Sequence, residues 1–323
     1  MTIKQYILSF AAAALTAVLL TGCSGDSASS IEPEPQDTKT GIKVNADVWR
    51  VMEGTRATTY DNQTALQTEG SFTCGVYTEN TTTAYVSPTA VDWNGAPTSQ
   101  WLFSDGKHYW PSTGNLDFFA YMPVTKPDYI SAVTYAVNGT PAPAPYITCA
   151  DLPIALTPTD ATKEFIWALT TGQNKAGQGS TGVMMNFKHP FARIKFKLST
   201  ESGTNVKVNS ITIPTVYRDG TCTLTGTSST AVSAWSSLSD NAGDLVITGD
   251  PATNNDMFYL VNPNHYGSQT LTVKATWSDW SNVTKNVTAS VAFNWLPGYS
   301  YTYTLTLSKY ALKVDVTKYT EQW

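Results

Sequence analysis

One position has both the residue type and the neighbours for covalent chemistry: Cys23, which follows Leu20-Thr21-Gly22 at the end of an apolar run. A thiol directly after Leu-x-Gly is the nucleophile that receives a diacylglyceryl group, so the mature chain is expected to begin at a lipid-bearing Cys23. The preceding residues have the parts of a secretory signal. Lys4 supplies the basic n-region, Tyr6 to Leu20 the apolar h-region, and Thr21 and Gly22 the small residues before the cut, so residues 1–22 read as a signal peptide. The run is about 15 residues, short of the roughly 20 that cross a bilayer. Everything after Cys23 is therefore expected outside the cytoplasm, tied to membrane lipid through that residue.

Other groups capable of chemistry are sparse. His108, His189 and His265 lie far apart, with neither His-x-x-x-His nor His-Glu-x-x-His spacing, and each reads as a strand or turn residue rather than a metal ligand. There is no Gly-x-Ser-x-Gly elbow and no phosphate loop. The 25 acidic residues are scattered, which gives no reason to prefer a carboxylate pair. No enzyme activity, metal or cofactor is expected. Cys74, Cys149 and Cys222 are widely spaced and without a Cys-x-x-Cys pair; they read as buried small side chains, with a Cys74–Cys149 bridge as the alternative. Ten Trp and 17 Tyr residues would suit sugar stacking, and Trp93 to Trp101 and Trp277-Ser278-Asp279-Trp280 are the candidate exposed platforms. Strands are rich in aromatics in any case, so most are expected in a core.

The elements that must position these residues are strands. After the signal about 300 residues remain, enough for two ordinary domains. Abundant Thr, Ser, Asn, Tyr and Trp with few charges favour pleated sheet, so the fold class is all-β. The net charge of −5 is spread without runs, which argues against nucleic acid as a partner.

Ser24 to Thr40 is polar and Pro-containing, a tether between lipid and fold. A first strand follows, with Ile42, Val44, Ala46 and Val48 alternating with polar positions. Further strands are expected at Phe72 to Tyr77, Lys107 to Trp110 and Leu116 to Met122. The proline-rich stretch Val124 to Thr159 reads as long exposed connections with at most an edge strand. Gly172 to Gly182 places a boundary near residue 178. Beyond it, strands are expected at Val183 to Leu198, Val206 to Ile213, Thr221 to Thr225, Leu245 to Thr248, Met257 to Val261, Thr270 to Trp277, Thr284 to Phe293 and Tyr301 to Val316. So many short strands with regular turns point to sandwiches, one over residues 57–178 and one over 179–323.

Four stretches carry a family resemblance. Asn186-Phe187-Lys188-His189-Pro190-Phe191-Ala192-Arg193-Ile194 is similar to the Phe-x-His-x-x-Ala-(Lys/Arg)-(Leu/Ile) strand of the Bacteroidetes fimbrillin family. Tyr109-Trp110-Pro111 resembles that family's Tyr-Trp-Pro, and Phe118-Phe119-Ala120-Tyr121-Met122-Pro123 its Phe-x-Ala-Tyr-x-Pro block. Gly298-Tyr299-Ser300-Tyr301-Thr302-Tyr303, near the C-terminus, resembles its final tyrosine strand.

The resemblance implies two transthyretin-like β-sandwich domains in tandem. It also implies export as an outer-membrane lipoprotein and assembly with other fimbrial subunits at the cell surface. It further implies that an arginine-specific protease removes the first strand. Residues 23–56 would then be a removable module of lipid, tether and strand, cut between Arg56 and Ala57, with Arg50 as the competing site.

Loss of Ile42, Val44, Ala46 and Val48 would leave an apolar groove and unpaired backbone groups. Within Ala311 to Val316, residues Leu312, Val314 and Val316 repeat the alternation and form a candidate donor strand. Burying three such side chains is worth roughly 5 to 8 kcal/mol by area. The expected function is a fimbrial stem or tip subunit built by donor-strand exchange and serving adhesion, with a host glycan or protein as a further candidate partner. The alternatives are a fimbrial anchor subunit or a monomeric outer-membrane lipoprotein that binds polysaccharide.

Overall fold

A computed structural model describes residues 39–48, 62–138, 142–152, 154–156, 164–201, 205–226, 232–236, 242–249, 258–278, 282–308 and 311–322. The N-terminal part holds β1 (Val44–Val48), α1 (Gln63–Glu69), β2 (Ser71–Thr78), β3 (Ala84–Asn94), β4 (Gln100–Phe103) and β5 (Leu116–Met122). Next come β6 (Ile130–Thr134), β7 (Val137–Asn138), β8 (Ala142–Pro143), β9 (Tyr146–Cys149) and β10 (Ile154–Leu156). After β11 (Ile166–Gln173), α2 (Lys175–Gln178) and β12 (Val183–Phe187), the C-terminal part begins with β13 (Ala192–Thr200), β14 (Val206–Tyr217) and β15 (Gly220–Thr225). It continues with β16 (Val232–Ser236), β17 (Ala242–Thr248), β18 (Phe258–Val261) and β19 (His265–Trp277). The last strands are β20 (Val283–Asn294), β21 (Tyr299–Leu307) and β22 (Leu312–Gln322).

The chain is all-β, and three buried cores organise it. The first lies inside a seven-stranded sheet in the order β11-β5-β2-β3-β4-β1-β12. This sheet curls until its two edges meet. Trp167 N donates to Lys188 O at 3.1 Å, Lys188 N returns to Trp167 O at 2.8 Å, and Thr170 Oγ1 donates to Met184 O at 2.8 Å. Inward residues such as Phe72, Val91, Phe118, Met185 and Phe187 fill the enclosed space.

The second core lies on the outer face of β5 and β11. There Phe119, Trp167 and Leu169 meet Ile147, Cys222 and Leu224 from the four-stranded sheet β16-β15-β9-β6. The third is a sandwich of β10-β18-β13-β21-β22 on β17-β14-β19-β20, closed over residues such as Phe196, Tyr303, Val273 and Trp277. Period-two alternation supplies its inward set: Leu271, Val273, Ala275 and Trp277 of β19 are buried while Lys274 between them is exposed.

Several details differ from the sequence expectation. Val124 to Thr159 is not mainly exposed connection: it supplies β6, β9 and β10, and Ile130, Ile147 and Cys149 are buried. Its prolines fall outside the ladders of β6 and β9, which leaves Ile130–Thr134 and Tyr146–Cys149 free to pair. Lys107 to Trp110 forms only an isolated bridge at Tyr109 to Gly41. Val183 to Leu198 is two strands, β12 and β13, and Tyr301 to Val316 is a hairpin of β21 and β22. Among the described residues, β1 pairs with β12, β9 with β15 and β10 with β18 across residue 178, and Trp167 bridges to Lys188.

The Cys74–Cys149 bridge is absent, because the two thiols serve different cores on opposite faces of the first sheet. Trp101 and Trp277 are core residues, 4 % and 0 % exposed, and offer no sugar platform, whereas Trp93 is half-buried against the first core. Trp280 lies outside the described residues.

Candidate functional site

The site is the seat of β1. Alternation puts Val44, Ala46 and Val48 inward, and all three are buried, as is Ile42 just before the strand. Lys43, Asn45 and Asp47 point the other way. On one side β1 runs parallel to β12 with the register Val44 to Val183, Ala46 to Met185 and Val48 to Phe187. On the other side its ladder with β4 is a single pair, Val44 to Trp101. Before the strand, Ile42 N donates to His108 O at 2.7 Å and Trp110 N donates to Thr40 O at 3.0 Å.

The surrounding elements fit this seat closely. Gly182 leads into β12 at φ +84°, and a Cβ there would lie 3.1 Å from both Lys43 Cβ and Asn45 Nδ2. Glycine is thus required for the turn and for the close approach to β1. Asn45 Nδ2 donates to Thr181 O at 2.8 Å across the same junction. Helix α1 starts at Asn62, whose side chain accepts from Ala65 N at 2.8 Å, and ends at Gly70 in the left-handed region. Leu66 of α1 is fully buried in the first core, and Gln63 Nε2 donates to Ala46 O at 3.4 Å.

The candidate donor strand belongs to β22, which pairs antiparallel with β21. Leu312 is opposite Leu307, Val314 opposite Leu305 and Val316 opposite Tyr303. Leu312 is buried in the third core and Val314 is half-buried against it. Lys313 and Asp315, on the other face, form an exposed ion pair at 3.1 Å. The turn is fixed by Ser308 N donating to Ala311 O at 3.0 Å. Cys23, Arg50, Arg56 and Ala57, and the side chain of Val316, lie outside the described residues.

The remaining polar groups have structural roles. Burial pushes the thiols of Cys74 and Cys149 up to about 12 and that of Cys222 well above its usual value, so at neutral pH all three are protonated and poor nucleophiles. His189, from the resemblance motif, is buried beside Glu164, with Nδ1 3.0 Å from Oε1. Asp117 is fully buried and accepts from Gly172 N at 2.8 Å, Asn80 N at 2.8 Å and Tyr135 Oη at 3.2 Å. Burial first, and Asp117 second, push the Tyr135 hydroxyl far above its ordinary range. Among the described residues no group of His, Cys, Asp or Glu could hold a metal ion, and no helix is long and apolar enough to cross a membrane. The sequence reading missed Glu164, Gly182 and Met185; Gly182 sat in a recognised glycine-rich stretch, but no local pattern marks the other two.

A buried first strand held between β12 and β4, with a last described strand on a sheet edge, defines an all-β protein of the β-sandwich class. Within that class the chain belongs to the fimbrillin-like family, whose model matches residues 55–323. A Bacteroides uniformis structure assigned to cell adhesion has a similar fold, with TM-score 0.51 at 12% identity, covering 88% of this chain and 99% of that one. A Bacteroides ovatus structure with the same assignment gives TM-score 0.48 at 16% identity, covering 88% of this chain and 97% of that one. The tip fimbrial protein Mfa3 from Porphyromonas gingivalis gives 0.37 at 10% identity, covering 77% of this chain and 94% of that one. No curated protein matches the sequence.

Proposed function

We propose that this chain is a non-enzymatic structural subunit of cell-surface fimbriae, exported as a lipoprotein on Cys23 and serving adhesion. Membership of the fimbrillin-like family supports the fimbrial role. The observation that carries the assembly mechanism is the seat of β1. Its inward side chains are buried, yet among the described residues its one extended ladder is with β12, so a cut after Arg56 would detach a strand whose loss exposes Val183, Met185 and Phe187. Such a surface demands a replacement strand.

The test is treatment of the precursor with an arginine-specific protease. A mature chain beginning at Ala57 that forms ladders on gels, alone or mixed with other fimbrial subunits, is the expected result, and Arg56→Ala should block both. A protein that stays full length, or is cut and takes up no strand, its own residues 40–50 included, rules the mechanism out. Labelled palmitate should enter the wild-type chain and not the Cys23→Ala variant.

A second reading, polysaccharide binding by a surface lipoprotein, draws support from a cleft of about 770 Å3. Its lining includes Asp128 and Asp151 together with Pro123 and Val124. Hydrogen-bond acceptors beside an apolar face are what a sugar ring requires. Retention on immobilised surface polysaccharide, lost on Asp128→Ala, would favour it.

A further inference from the structure

The seat of β1 is not uniformly wide. Val44 faces Val183 and Val48 faces Phe187, but between them the smallest inward side chain, Ala46, is opposite the long side chain of Met185. Ala46, Met185 and Leu66 of the overlying helix are all fully buried, and Gln63 ties that helix to the carbonyl of Ala46 itself. A large residue on one side and a small one on the other is a complementary pair, and added volume at the small position forces its neighbours off their rotamers.

The chain's own C-terminal strand fails this fit at one position. Laid on Val44-Asn45-Ala46-Asp47-Val48, the segment Leu312-Lys313-Val314-Asp315-Val316 reproduces the aspartate and the final valine and keeps the outward positions polar. Opposite Met185, however, it brings Val314. Running the segment in the reverse direction leaves Val314 in the same place. Sliding it by two residues brings Leu312 or Val316 there. Sliding it further brings Tyr310, Lys318 or Thr320, and Lys318 then takes that place or its neighbour for the last two. The opposite face would put Ala311 there at the cost of burying Lys313.

Resting on the strand-exchange reading above, we infer that the seat of β1 selects a strand with alanine or glycine opposite Met185. Its occupant in the fibre is then a strand from a different subunit, not the C-terminal strand of a second copy of this chain. Val314 is the residue that discriminates. The chain's own C-terminal strand either stays on β21 or serves a neighbour whose seat is wider at that point.

The test uses the full chain cleaved by an arginine-specific protease in mild urea, with excess of one synthetic peptide. The peptides are residues 40–50, residues 311–322, and residues 311–322 carrying Val314→Ala. Retained peptide is read by native mass spectrometry after dilution. The 40–50 and Val314→Ala peptides should be retained, and the unsubstituted 311–322 peptide at least about tenfold less. Equal retention of the two C-terminal peptides overturns the inference and leaves strand exchange standing. Retention of none, residues 40–50 included, overturns the strand-exchange reading and the inference with it. In the intact chain, Ala46→Val should lower the melting temperature; an unchanged value means the seat has room for Val314 and overturns the inference alone.

Discussion

β1 and β22 start from nearly the same alternation and are held by opposite means. In β1 the inward side chains are enclosed, with Val44 at 2 % and Ala46 at 0 % exposure, while lateral hydrogen bonding is rich only toward β12. In β22 the ladder runs unbroken from Leu312–Leu307 to Tyr319–Ser300, while Val314 is only half-buried and Lys313 and Asp315 lie in solvent. Side-chain enclosure makes the N-terminal strand costly to lose. A ladder on one open edge leaves the C-terminal strand well registered but held from one side only. An alternating pattern therefore identifies a strand with one buried face, but not whether enclosure or hydrogen bonding holds it.

The sharpest way to break the comparison is one substitution made at both ends. Val44→Asp places a carboxylate in the first core and should cost at least about 3 kcal/mol, whereas Val314→Asp, at a half-buried edge position, should cost about 1 kcal/mol. Urea unfolding of the two variants measures both, and equal losses would erase the contrast. Deletion of Leu312 to Trp323 should cost about 2 to 4 kcal/mol through lost burial of Leu312 and Val314. Hydrogen exchange should then rise on β21 and stay unchanged on β2 and β5; faster exchange in the N-terminal sheet would show that β22 supports it.

Gln63→Ala removes the side-chain donor to Ala46 O and should lower stability by about 0.5 to 1 kcal/mol, with exchange rising first in β1. Lys313→Ala breaks only an exposed ion pair and should change the melting free energy by less than about 0.5 kcal/mol. A larger effect would mean that β22 depends on its outward face.

The all-β class and most individual strands were legible in the sequence, because alternation and turn residues are local. Ile42, Val44, Ala46 and Val48 could be assigned to a buried face on that basis alone, and the structure buries them. Their neighbours could not be read. β12 pairs with β1 in parallel across most of the N-terminal half, and nothing in Val183-Met184-Met185-Asn186-Phe187 names its partner. The same limit hid β6 and β9, whose short apolar runs sit among prolines that fall outside both of their ladders. Glu164 gave no sign that it would be buried against His189, since that pairing exists only once β11 and the segment before β13 are brought together. Trp101 and Trp277, from the candidate platforms, turned out to be core residues for a related reason. Trp101 and Trp277 lie in strands whose inward face is set by register, and a ring's suitability for sugar carries no information about that face.

The continuity of β12 into β13 through Lys188, His189 and Pro190 has a mechanical consequence. In a fibre built as proposed, a strand lying along β12 would pull on that span, and a C-terminal segment released to a neighbour would pull on the end of β21. Between those points the load crosses one short covalent span and then the parallel β13–β21 ladder. A pull along the strands loads that ladder in shear, where many hydrogen bonds must yield together rather than one at a time. The pairings of β9 with β15 and β10 with β18 lie off that path.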